Sequence, residues 1–513
     1  MPVLPDNLGY LFDGPLAQNP SAIAVIQGDR QVSYAELDDR SNRMANVLRE
    51  LGLRTRDRVA LLFDNDFRFL DCCFGAMRIG AIVVPLNTRM GDDALAFILD
   101  DCEAQVLVAS AAMSARARSL ASRVPRVRDL VVDKESPGDA VAYEAALSDA
   151  SPRLPRQRLD PNSVCMQPYT SGSTGKPKGV LLTHHGQIWN TSVVRRALGI
   201  NERERGLVAV PLYHKNAMIG TVKPFLLAGG SFVVLNGFDP IQVIEAIERH
   251  RVTFMTGVPA MFKMVLAKRD ALARHDVSSV QYVVCGSAEV PEDLCTEFKR
   301  VFGATMAESY GLTEGGPVPI INRRGARLKR GSCGTAFSGC DAKLVAQDGE
   351  TEVGVDHPGE LVTRNPGLAA GYWKRPDITA EKFRDGWLHT GDLMRRDSDG
   401  YFYFLGRRDD MINVAGENVY PKEVEDLLLR HPGVRDVCVV SMPHDVKGSV
   451  PVAFVVETES GACTDDELKG FTLANGAPYA HPRRVFFLDA LPLGGTGKVD
   501  RAELIRRAAG QTA

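Results

Sequence analysis

Cysteine is sparse in this chain. There are ten in 513 residues, and neither the adjacent Cys72 and Cys73 nor the pair Cys333 and Cys340 has the C-x-x-C spacing of zinc sites and redox dithiols. A disulfide scaffold and a zinc ribbon are therefore excluded, and reduced, buried thiols in a cytoplasmic protein are expected. Excess charge of one sign is also missing: 61 Lys and Arg against 64 Asp and Glu leave a net charge of −3. A near-neutral surface has no broad field to attract nucleic acid or an anionic membrane, so any anion must be held locally. Long apolar runs are lacking too. The most apolar stretch, Cys72 to Leu86, contains Arg78 and is shorter than the roughly 18 residues that a membrane span needs. The opening MPVLPDNLGYLFDG has no basic segment leading into an apolar one, so no secretory signal is expected. The chain carries no internal repeat, heptad run or low-complexity tract, and its polar segment Asp133 to Asp139 reads as a surface loop.

What is present is an ordinary globular composition, 44% hydrophobic and 24% charged, over a length worth about three units of roughly 150 residues. Ser33 and Glu36 have capping-box spacing, and Leu37, Met44, Val47, Leu48 and Leu51 follow at helical intervals before Gly52. Apolar runs at Val59 to Phe63 and Ala81 to Leu86 flank a helical stretch from Phe67 to Arg78, an order that predicts a parallel sheet. Further strands are expected at Gln105 to Ser110, Gly206 to Pro211, Ser231 to Leu235, Val252 to Thr256 and Val280 to Cys285. After about Gly325 the runs shorten, at Ala342 to Ala346, Gly359 to Thr363 and Gly400 to Leu405, which suits a small antiparallel β region. The expected fold is α/β. A large N-terminal domain of parallel or mixed sheets flanked by helices, with the small β region, spans 1–408, and a small α+β domain spans 409–513.

The strongest single signal is YTSGSTGKPKGV, Tyr169 to Val180. Thr170, Ser171, Gly172, Ser173, Thr174, Gly175, Lys176 and Lys178 interleave small residues, hydroxyls and ammonium groups. Such a loop can turn backbone N–H groups and cations onto phosphate oxygens. It is not a Walker loop, because Thr170 occupies the place of the first Gly and Pro177 that of the final Ser or Thr. Read on composition alone, a Gly-Ser linker is the alternative, and the two Lys and the flanking apolar runs weigh against it.

This segment resembles the phosphate loop of the adenylate-forming enzymes, the superfamily of acyl-CoA and aryl-CoA synthetases, luciferases and peptide-synthetase adenylation domains. The superfamily's other motifs follow in order: PLYH at Pro211 to His214, ESYGLTE at Glu308 to Glu314, GELVTRNPGLAAGYW at Gly359 to Trp373, WLHTGDL at Trp387 to Leu393, GRRDD at Gly406 to Asp410 and GGTGKVDR at Gly494 to Arg501. The resemblance implies two half-reactions and a C-terminal domain that rotates about a hinge. In the first, a carboxylate attacks the α-phosphorus of ATP to give acyl-adenylate and pyrophosphate. It implies that Thr170 to Lys178 hold the β- and γ-phosphates, that Thr313 contacts the α-phosphate, that Glu314 with Thr170 ligates Mg²⁺, and that Lys498 is the catalytic lysine. Asp392 and Arg407 correspond to the ribose-binding pair, Gly286, Ser287 and Ala288 to the segment under adenine, and Tyr310 with Gly311 to the aromatic stack. His214 corresponds to the residue beside the incoming carboxylate, with Lys215, Asn216, Val258, Gly311 and Gly315 lining the substrate pocket. Without the resemblance, Asp392 reads as an Asp in a Gly turn, Arg407 as a solvated charge and His214 as a satisfied core histidine.

In the second half-reaction a thiol, that of coenzyme A, attacks the adenylate. The resemblance places the hinge at Asp409 and the lining of the thiol tunnel at Val414 to Asn418, including Ala415 and Gly416. Two departures stand out. Tyr479, Ala480 and His481 lack the basic residue common there, and His214 is followed by Lys215 and Asn216 where most relatives are apolar. The expected activity is that of an acid–CoA ligase using ATP, Mg²⁺ and coenzyme A on a small or medium acid, aromatic or carrying a second polar group. A fatty acyl-CoA synthetase, an adenylation enzyme loading a carrier protein and a nucleotide-binding regulator are the alternatives. An amino-acid adenylating site places an Asp where this chain has Lys215, which would repel an amine. Expected partners are the acid, ATP and CoA, not nucleic acid, with a homodimer left open.

Overall fold

The computed structural model describes residues 4–132, 140–170, 176–286, 290–316, 318–414, 417–445, 447–493 and 499–510. The polar segment 133–139 lies outside them. Two compact units are distinguished, one of residues 1–342 with 363–388 and the other of 343–362 with 389–513.

In the first unit the capped helix runs Tyr34–Glu50, and Ser33 Oγ accepts the Glu36 N–H at 3.1 Å. The Glu36 carboxylate pairs with Arg30. The buried face is Leu37, Ser41, Met44, Ala45, Val47 and Leu48, at the spacing of one helical stripe. Among the described residues, a seven-stranded sheet has Arg58–Leu62 at its centre, parallel to Ile82–Pro85 on one side and Ala104–Ala109 on the other. A nine-stranded sheet has a run of parallel neighbours in the order Thr305–Tyr310, Tyr282–Gly286, Phe254–Gly257, Arg205–Val208, Ser231–Val234 and Ile23–Gln27. One apolar cluster draws Val59, Val83, Val208, Phe254 and Val284 from these strands and Phe74 and Phe225 from helices. Burying the β-branched and aromatic faces at roughly 25 cal/mol per Å² holds such layers together.

Arg78 does not face solvent. It is 1% exposed, pairs with Asp38 at 2.8 Å, donates to the Gly9 carbonyl at 2.9 Å and lies over the Tyr10 and Phe12 rings. A guanidinium tolerates this burial because Asp38 balances its charge, its Nε–H and Nη1–H meet carbonyl oxygens and aromatic rings lie against it. All ten cysteines are unpaired, and all but Cys295 are buried.

Trp387–Arg396, in the second unit from His389 onward, forms an antiparallel hairpin with Phe402–Arg407, and Gly359–Arg364, in that unit up to Val362, lies on the other side of the first of these strands. Farther along, the hairpin of Val434–His444 and Gly448–Glu457 is continuously apolar from Val437 to Val440 and from Val450 to Val456. Alternate side chains therefore enter two cores: Val439, Ala453 and Val455 join Leu428 and Leu468 on one face, while Cys438, Val452 and Phe454 join Leu504 on the other. Asp409 lies inside this unit, in the short helical turn Arg408–Asp410. No helix among the described residues is long and apolar enough to cross a membrane.

Candidate functional site

The glycine-rich run is carried on a hairpin. Tyr169–Thr170 pairs antiparallel with Lys178–Gly179, Thr170 opposite Lys178; Ser171, Gly172, Ser173, Thr174 and Gly175 lie outside the described residues. The base of the hairpin is anchored to the end of the helix Asp92–Asp101. Tyr169 donates its phenol to the Asp101 carboxylate and accepts from Gln167 Nε2 at 3.1 Å. Burial, then the anionic neighbours, holds that phenol well above the ordinary tyrosine range. Trp373 donates Nε1 to the Asp101 carbonyl at 2.8 Å and its backbone N–H to the Gly179 carbonyl at 2.8 Å, under the Arg58 guanidinium 3.8 Å from its ring. Gly179 is required here, since a Cβ would stand 2.8 Å from Gln167 Nε2 and 3.0 Å from the Tyr169 ring. Lys176 is exposed, its ammonium 5.4 Å from the Phe97 ring. Tyr169, Asp101 and Trp373 had no role in the sequence reading, although Tyr169 and Trp373 stand inside its motifs.

The parallel strands of the larger sheet end together, and the chain segments leaving their carboxyl ends carry most of the remaining candidates. This is where open α/β sheets bind ligands. Tyr310 closes its strand, 8% exposed. Gly286 lies opposite Ser309 in the parallel pair, and a Cβ on it would be 3.1 Å from the Ser309 carbonyl. Ser287 and Ala288 lie outside the described residues. Thr313–Gly315 forms a short helical turn held by Ala369 N–H to the Glu314 carbonyl, 2.9 Å, and Asn365 Nδ2 to the Gly315 carbonyl, 3.1 Å. Glu314 Oε1 accepts the Tyr372 phenol at 3.1 Å and lies 3.5 Å from Thr170 Oγ1. The carboxylate and the hydroxyl assigned to Mg²⁺ are thus brought side by side from positions 144 residues apart. Two hard oxygen donors fit an ion that takes its other ligands from phosphate and water.

His214 caps the short helix Lys215–Ala217, its Nδ1 accepting the Asn216 N–H at 3.2 Å. That bond assigns the proton of the neutral ring to Nε2. Lys215 is half-buried and donates Nζ to the Gly311 carbonyl. Wide π-type turns follow at Met218–Val222, permitted by Gly220, whose Cβ would sit 2.8 Å from Thr256 Cγ2. Val258, half-buried, precedes the helix Pro259–Leu266.

In the second unit Asp392 and Arg407 are register partners in the hairpin, with Arg407 Nε 3.3 Å from Asp392 Oδ1. Asp392 is 4% exposed, whereas the Arg407 side chain is 61% exposed. Thr390 Oγ1 accepts the Asp392 N–H at 3.1 Å and donates to the Leu361 carbonyl at 2.7 Å, which orients the acid. Ala415, Gly416 and Lys498 lie outside the described residues; Val414 pairs with Glu417, and Leu493 bridges Val499.

The chain belongs to the family of AMP-binding enzymes. The family model "AMP-binding enzyme" matches residues 12–373, and "AMP-binding enzyme C-terminal domain" matches residues 423–498. It is similar to a feruloyl-CoA synthase of Amycolatopsis sp, 38% identical over 491 residues, covering 95% of this chain and 96% of that protein. An indoleacetate–CoA ligase of Aromatoleum aromaticum is 32% identical over 507 residues, 98% and 99% of the two chains. Among solved structures, the anthranilate CoA ligase AuaEII in complex with anthranoyl-AMP superposes with a TM-score of 0.90 at 27% identity, over 99% of this chain and 98% of that one. ATP-bound MatB from Rhodopseudomonas palustris gives 0.91 at 27% identity, over 99% and 100%.

Proposed function

We propose that this AMP-binding enzyme is an ATP-dependent acid–CoA ligase and that its acid is a compact aromatic or arylalkenoic carboxylate bearing a polar substituent. The carboxylate attacks the α-phosphorus of ATP, pyrophosphate leaves, and the CoA thiol then displaces AMP from the acyl-adenylate. Two anions meet in the first step, so donors aimed at the developing charge carry the rate. His214 presents an Nε2–H to the incoming carboxylate, Thr313 and Lys498 take the α-phosphate oxygens, and Thr170 to Lys178 hold the β- and γ-phosphates. Tyr310 stacks on the adenine, with Gly286 to Ala288 beneath it, and Asp392 with Arg407 takes the ribose hydroxyls. Glu314 with Thr170 would hold Mg²⁺, which when bound would supply positive charge against the phosphate oxygens. The observation that carries the reading is the placement of the Glu314 carboxylate against Thr170 at the foot of the phosphate hairpin. The ten unpaired thiols suit the reducing conditions of the cytoplasm.

The aromatic assignment is supported by the acids in the names of the most similar relatives, ferulate, indoleacetate and anthranilate. Lys215 supports the polar substituent. Its ammonium is held by the Gly311 carbonyl, and facing the acid it would be met by a substrate oxygen, which offsets the cost that bare methylenes would impose. Lys215→Met is expected to lower kcat/KM for ferulate at least about tenfold relative to cinnamate, about 1.4 kcal/mol, measured as ATP- and CoA-dependent thioester formation. An unchanged ratio would remove Lys215 from the pocket and put a fatty acid first.

Asp409 is assigned to the hinge between the half-reactions. Proline holds φ near roughly −65° and so opposes a large dihedral change. Asp409→Pro is expected to leave pyrophosphate release within about threefold while slowing thioester formation at least about tenfold. Equal losses in the two assays would rule the hinge out.

A further inference from the structure

Glu360 is 3% exposed, and neither half-reaction as assigned above uses it. Its carboxylate reaches the ribose hairpin from the neighbouring strand Gly359–Arg364 and holds it on both sides. Oε1 accepts the Gly391 N–H at 2.9 Å, and Oε2 accepts Arg408 Nη1–H at 3.0 Å. Gly391 immediately precedes Asp392, Arg408 immediately follows Arg407, and Asp392 and Arg407 face each other in register. Gly391 has φ of +74°, a left-handed conformation that glycine takes without strain and in which its N–H meets Glu360. His389 Nδ1 lies 4.0 Å from Oε1. A carboxylate this deep is costly unless its oxygens are engaged, and two charge-assisted hydrogen bonds engage them.

We propose that Glu360 is a positioning residue for nucleotide binding: one buried carboxylate ties the strand that carries Asp392 to the turn that follows Arg407, one residue away from each ribose-binding side chain, and so sets the spacing of Asp392 and Arg407. Bonds from a backbone N–H and a guanidinium to a carboxylate are both charge-assisted, and each is placed one residue from a ribose-binding side chain. The proposal rests on the assignment of Asp392 and Arg407 to the ribose.

The test compares KM for ATP and for 2′,3′-dideoxy-ATP in the pyrophosphate-release reaction of the full chain, for the unmodified protein, E360Q, D392N and the double variant. Glutamine keeps the size and an acceptor oxygen for Gly391 but ends the ion pair with Arg408. E360Q is expected to raise KM for ATP about tenfold with kcat within about threefold, and D392N/E360Q to be no worse than D392N. With the dideoxy nucleotide, which has no ribose hydroxyls to hold, E360Q and the unmodified protein should agree within about twofold. A merely structural residue would raise KM equally for both nucleotides, and that result would overturn the proposal. An unchanged KM for ATP in E360Q, with D392N impaired, would overturn it as well. An unimpaired D392N would instead overturn the ribose assignment and the proposal with it. Arg408→Ala, at a half-exposed position, carries the same comparison should E360Q not fold.

Discussion

Lys498→Ala is expected to abolish adenylation while leaving thioester formation from supplied acyl-adenylate within about threefold of the unmodified protein. Lysine is a compact charge on a long stem, able to reach the acid carboxylate and the α-phosphate together while both are anionic. Removing one aimed donor of this kind costs about 3 kcal/mol or more, at least a hundredfold to a thousandfold in rate. By the second half-reaction the phosphoryl transfer is complete and the lysine has no developing charge to meet. Pyrophosphate release with acid and ATP reads the first step, and CoA thioester formation from synthetic adenylate reads the second. Equal losses in both would remove Lys498 from its assigned role.

Glu314→Gln is expected to reduce pyrophosphate release about a hundredfold and to shift the Mg²⁺ concentration for half-maximal rate upward, so that added Mg²⁺ recovers part of the loss. The amide keeps the acceptor for Tyr372, whose phenol meets Glu314 Oε1 at 3.1 Å, so the turn Thr313–Gly315 is preserved. What disappears is the negative charge a hard cation needs. Tyr372→Phe separates the two effects: it removes the phenol bond alone and should cost less than about tenfold. A Glu314→Gln rate that does not respond to Mg²⁺ would show that the carboxylate acts only by holding the turn.

Much of the candidate site was legible in the sequence because its demands are local. A phosphate loop needs small residues, hydroxyls and cations within a few positions, and YTSGSTGKPKG meets all three. The cap at Ser33 is a contact over three residues, and the strand at Arg205–Val208 and its neighbours are short apolar runs bounded by breakers. Each such signal is a property of one segment, and the family motifs, read in order, implied which ligand each segment meets.

The partners of those residues were not legible. Lys215 was legible only as the residue after His214, and only folding brought its ammonium to the Gly311 carbonyl, 96 residues away. Tyr169 finds Asp101 across 68 residues and Tyr372 finds Glu314 across 58, through sheet register and chain closure that no local propensity contains. Arg78 read as an interruption of an apolar stretch, yet Asp38 and the Gly9 carbonyl make it a buried, paired charge. Glu360 carried no signal beyond its place in a family motif; its carboxylate gains meaning only when Gly391 and Arg408 arrive on adjacent strands. The sequence by itself determined the α/β class and the order of the family's motifs, because these follow from contiguous residues. The tertiary structure alone decided which side chains pair, because a hydrogen bond depends on positions within a few tenths of an ångström that only the packed sheets define.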